Sequence, residues 1–168
     1  MDKEGTGKEW IASLAQDIRQ KGHEAAENYG RSQHRAEIAT TRGRQFFTAV
    51  TLCLEDDVNE IKRQFQGDVT SSDTIFQSIS PTELKLTRSR FPWFDARITH
   101  HDPNIVLDYA KGLGVAGDPA LDRKSSHFTF HVDDDDLLSV HESFNDNARQ
   151  FHQPEELARH IVEILFQL

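Results

Sequence analysis

Apolar side chains are distributed unevenly along this chain. Residues 1–45 hold only Ile11, Leu14, Ile18 and Ile38 from the set Leu, Ile, Val and Phe, against 38 in residues 46–168. Trp10, Ile11, Leu14, Ala15 and Ile18 recur at three- and four-residue spacing behind a helix start at Thr6 or Gly7. The stripe stops there. From Arg19 to Arg44 the chain is charged, rich in Ala and free of Pro, so it offers good helix formers with little to bury. The pattern predicts a polar helical arm over 1–45, either one long exposed helix or a helical hairpin turning near Asn28-Tyr29-Gly30.

Phe47, Val50, Leu54, Val58, Ile61 and Phe65 step by three and four, with Glu55, Asp56, Asp57, Asn59, Lys62 and Arg63 between them. That is an amphipathic helix ending near Gln66, with Gly67 as its stop. Beyond it the period changes to two. Thr74–Ile79, Glu83–Ser89, Trp93–Thr99, Asn104–Ala110, His127–Val132 and Leu137–Ser143 read as strands, separated by short turns such as Ser80-Pro81-Thr82, Phe91-Pro92 and His101-Asp102-Pro103. Connections this short demand antiparallel neighbours. Lys111–Ser126 reads as a long polar loop. Gln153-Pro154-Glu155-Glu156 opens a last helix with apolar Leu157, Ile161, Ile164, Leu165 and Leu168. The expected fold is two-layered α+β: N-terminal helical arm, amphipathic helix, a meandering antiparallel sheet of about five or six strands, and a C-terminal helix. Residues 46–168 form its globular domain.

Composition and charge narrow the function classes. The 168 residues carry 19 basic and 28 acidic groups, a formal net charge of −9. Residues beyond Gly67 account for −8 of it, which repels a phosphate backbone and makes nucleic acid an improbable partner. Cys53 is the single cysteine, so no intrachain disulfide forms. Asp2, Lys3 and Glu4 follow Met1 with no apolar run behind them, and no segment approaches the length of a membrane span. The expected setting is a soluble, cytoplasmic protein without a membrane partner.

Candidate chemistry is thin. Gly112-Leu-Gly-Val-Ala-Gly117 matches a dinucleotide-binding string, yet Pro119 and a polar run follow where that motif needs a helix. Those glycines read as loop hinges. On a three-residue turn at Asp133–Asp135, the hairpin 127–141 sets His127 opposite His141 with His131 nearby, the start of a metal site still short of a ligand. Asp133–Asp136 lacks the glycine and terminal Glu of a calcium loop and reads as a solvated turn. Arg88, Arg90 and Arg97 flank Phe91-Pro92-Trp93-Phe94 and suggest an anion clamp at the sheet rim. Cys53 lies between Leu52 and Leu54 ahead of two acids, a packing cysteine rather than a nucleophile.

No catalytic motif and no cofactor are expected. The leading expectation is a non-enzymatic interaction or assembly module that meets a protein partner or its own copy through Trp10, Ile11, Leu14 and Ile18. The first alternative is a small-ligand-binding or sensing domain, its pocket between sheet and helices lined by Phe76, Phe94, Tyr109, Phe128 and Phe130. The second is a metal-assisted hydrolase using His127, His131 and His141.

Overall fold

A computed structural model describes residues 8–65, 74–90, 92–112, 123–143 and 149–167. The expected helix start at Thr6 or Gly7, the stop at Gly67, and Gly114 and Gly117 of the loop lie outside the described residues. The order is helix α1 (Glu9–Gln64), strands β1 (Thr74–Ser80), β2 (Glu83–Arg88), β3 (Trp93–His101), β4 (Asn104–Gly112), β5 (Lys124–Val132), β6 (Leu138–Glu142) and β7 (Gln150–Phe151), then helix α2 (Pro154–Phe166). The chain divides into two compact units, Met1–Glu37 and Ile38–Leu168.

In the first unit α1 carries neither a turn at Asn28–Gly30 nor a second helix. With no core to draw on, its helicity rests on alanines and on surface pairs one turn apart. Gln20 donates to Glu24 (3.1 Å), Gln33 to Tyr29 (2.9 Å), and Arg31 pairs with Glu27 (3.6 Å).

In the second unit one antiparallel sheet runs in the order β1-β2-β3-β4-β5-β6-β7. It has seven strands rather than five or six, because Gln150–Phe151 is too short to show a period in sequence. Strand β5 also begins three residues earlier than expected, at Lys124. Alternation along each strand builds two faces. Cross-strand rows such as Leu84–Ile98–Leu107 and Phe130–Val140–Phe151 line the inner one. Ala39, Phe46, Phe47, Val50, Leu54 and Val58 of α1 join them in one core with Leu157, Ala158, Ile161 and Leu165 of α2. The packing is close at Gly43, where an added Cβ would lie 3.0 Å from the Phe130 ring. That ring meets Phe46 edge-on, at a centroid distance of 5.9 Å.

Helix α2 is well capped. The Glu156 carboxylate accepts from the backbone N–H groups of His152 (2.9 Å) and Gln153 (3.1 Å). These bonds hold its carboxyl below the ordinary glutamate range. No basic residue stands in its last turn. Instead Lys111 Nζ reaches across from β4 to donate to the carbonyls of Ile164 (2.6 Å) and Gln167 (2.7 Å).

Candidate functional site

The three arginines of the expected clamp are not brought together. Arg88 shares the parity of Leu84 and Leu86, so it is turned inward and buried. Its Nη1 donates to Thr74 Oγ1 (2.8 Å), and the guanidinium stands 5.7 Å from the Phe166 ring centroid. Arg97 has the opposite parity and lies on the outer face, its Nε 3.1 Å from Glu83 Oε1. Arg90 follows β2 in an exposed bend. The outer face binds its charges internally, with Lys85 and Arg123 both pairing to Asp95 at 3.4 and 3.3 Å.

The histidine hairpin also differs from expectation. Asp133 Oδ1 accepts from the N–H groups of Asp135 and Leu137 (both 2.9 Å), and Asp133 N–H donates to Leu137 O (3.1 Å). Asp136 takes φ 59°, a left-handed conformation that aspartate tolerates. The turn therefore spans Asp133–Leu137, five residues instead of three, and Val132 faces Leu138. Every pair slips by two positions. His141 now opposes Thr129 and not His127, while its ring lies diagonally beside His131, 5.0 Å between centroids. His127 opposes Val106 on the other neighbouring strand. Among the described residues no group of three or more His, Cys, Asp or Glu is placed to hold a metal. Burial, and then the neighbouring His131 and His152, push the His141 ring below the ordinary histidine range.

The aromatic residues expected to line a pocket are core. Phe94, Tyr109, Phe128 and Phe130 are buried and Phe76 packs half-buried against them. Phe94 is filled in by Phe166 (5.1 Å), and Phe128 by Phe151 (6.1 Å).

Sequence spacing did not reveal a groove of about 550 Å³ between α1 and α2, floored by Cys53, Phe151 and His160. Asp56, Asp57, Glu155, Glu156 and Glu163 outnumber Arg149 and Arg159 along it. Arg149 Nη1 donates to His160 Nδ1 (2.9 Å); that nitrogen therefore accepts, and Nε2 carries the hydrogen given to Glu142 Oε2 (3.2 Å). One signal was available: His160 sits three residues after Leu157 and four before Ile164, on the apolar stripe of α2. The groove favours a cation by charge. Its thiol is unsuited to nucleophilic chemistry, since burial and then Glu155, Asp57 and Asp56 push Cys53 upward and keep it protonated.

The arm residues Trp10, Ile11, Leu14 and Ile18 are 48–62% exposed. At 100° per residue they fall within an arc of roughly 100° on α1. Among the described residues no helix is long and apolar enough to cross a membrane. No known protein family, curated protein or solved structure matches this chain.

Proposed function

We propose that this chain is a non-enzymatic assembly module whose N-terminal helix associates with the same helix of a second copy. The observation that carries the reading is the exposed stripe of Trp10, Ile11, Leu14 and Ile18. Complete burial of a large apolar side chain yields about 1.5–3 kcal/mol, so four half-exposed ones leave on the order of 3–6 kcal/mol unrealised. Association itself costs roughly 4–15 kcal/mol, so the stripe anchors a contact to which other surface must contribute. Charge supports a second copy as the occupant. Between Lys8 and Glu37 five basic and five acidic residues cancel, whereas the segment beyond Gly67 carries −8. Two such helices meet without the repulsion that two acidic bodies impose.

Trp10 reports on this contact directly, because the other tryptophan, Trp93, is buried. In a Trp93→Phe chain, Trp10 emission is expected to shift to shorter wavelength as concentration rises through the micromolar range. Ile11→Asp with Ile18→Asp should hold it at the water-exposed wavelength. A spectrum independent of both concentration and these substitutions would overturn the reading.

A further inference from the structure

We propose that β1 is a second self-association surface, pairing antiparallel with β1 of another copy about a two-fold axis through Gln77. Strand β1 ends the strand order, and among the described residues no strand lies beyond it. The opposite edge, β7, has two residues; β1 has seven. A terminal strand presents a row of backbone N–H and C=O groups that another strand can pair. Natural edges are commonly blunted by shortness, by charge or by Pro. Thr74-Ile-Phe-Gln-Ser-Ile-Ser80 has none of these, in a chain of which 28% of residues are charged. Of the other devices that blunt an edge it carries one, a bulge-like register shift between Ser78 and Ser80 at its end. Ile75 and Ile79 are 50% and 54% exposed beside this edge.

The occupant follows from the order of residues. About Gln77 the strand is a partial palindrome: Ile75 mirrors Ile79 and Thr74 mirrors Ser80, while Phe76 and Ser78 are the one unlike pair. An antiparallel copy in that register places Gln77 opposite Gln77, Ile75 opposite Ile79, hydroxyl opposite hydroxyl at the ends, and Phe76 opposite Ser78; the isoleucine and hydroxyl pairs are ones that favour a sheet. Such a contact is isologous, as a two-fold dimer requires. It also joins two acidic chains along a strand that bears no charge. Neither the arm nor its stripe takes part, so this contact stands or falls separately from the arm association.

Cysteine cross-linking reads the register. In a full-length Cys53→Ala chain, Gln77→Cys would bring two Cβ atoms to about 4.5–5.5 Å across the axis, a short adjustment from disulfide geometry. Under mild oxidation it should give covalent dimer at least tenfold faster than Thr87→Cys, one strand further in. A chain with Ile75→Cys should cross-link poorly to itself and readily to one with Ile79→Cys. Ile75→Lys with Ile79→Lys, which sets ammonium groups opposite one another, should abolish the Gln77→Cys product while circular dichroism stays native. Trp10→Ala with Leu14→Ala should leave that product unchanged. The proposal is overturned if Gln77→Cys reacts no faster than Thr87→Cys, if Ile75→Cys self-links as readily as Gln77→Cys, or if the arm substitutions remove the product.

Discussion

His100 shows how one residue ties stability to pH. Its ring is buried, stacked on Phe47 at 5.3 Å and edge-on to Phe130 at 5.6 Å. Nε2 has no hydrogen-bond partner among the described residues, and the Asp102 carboxylate stops 4.0 Å away. Burial pushes the ring below its ordinary pKa of 6.5; Asp102 opposes that shift, while Arg44 and His101 add to it. The fold thus prefers the neutral ring, and the unfolded chain binds the proton more tightly. This contribution to stability is complete above the ordinary histidine range and declines as pH falls below it, at no more than about 1.4 kcal/mol per pH unit for one proton. His141 acts in the same direction. Only at lower pH do the carboxylates enter, with Asp57, raised by burial, opposing the decline. Urea unfolding of the full chain should give a lower midpoint at pH 5.5 than at pH 7.5. His100→Phe keeps both ring contacts and should flatten that difference; an unchanged difference would place its origin elsewhere.

At the scale of elements, α1 contains glycines of two kinds. Gly22 and Gly30 have nothing within 4 Å of the position a Cβ would take. Replacing either by Ala should gain about 0.5–1 kcal/mol from helix propensity alone. Gly43→Ala gains the same propensity but drives a methyl against Phe130, which Phe46 and His100 hold in place. Overpacking of this kind costs typically 1–3 kcal/mol, so the net effect should be a loss. Helical ellipticity should therefore rise in Gly30→Ala, and the unfolding midpoint should fall in Gly43→Ala. Spacing predicted the buried positions Phe47, Val50, Leu54 and Val58, but it also placed the exposed Phe65 on that face, and it gave no sign of the close approach at Gly43. That depends on which strand residue lies opposite the helix.

For the whole molecule, the division into two units sets a further expectation. Among the described residues every buried hydrophobic side chain lies at Ala39 or later. A chain of residues 38–168 should therefore unfold cooperatively within a few degrees of the full chain, having lost ellipticity from the N-terminal helix. Broad, non-cooperative melting of this fragment would show that residues 1–37 contribute to the body's stability.

Sequence alone determined most of the elements and faces of this protein, but missed β7 and left the arm open between one helix and a hairpin. Periods of 3.6 and 2 are local properties, and Phe47–Val50–Leu54–Val58 or Leu84–Leu86 declare which side is buried before any partner is known. Short turns fixed the antiparallel meander in the same way. Tertiary structure decided everything that needs a distance between elements. Asp133 selected a five-residue turn through its own side-chain hydrogen bonds, and one two-residue slip separated His127 from His141 without exchanging a single face. Parity placed Arg88 and Arg97 on opposite sides of the sheet, although both are basic and close in sequence. Glu142, Arg149 and His160 converge only because β6, the entry to β7 and α2 meet at one edge. The physical reason is range. Hydrophobic periodicity is set by residues two to four positions apart, whereas hydrogen bonds and ion pairs act over a few ångströms and are assigned only once the chain has closed.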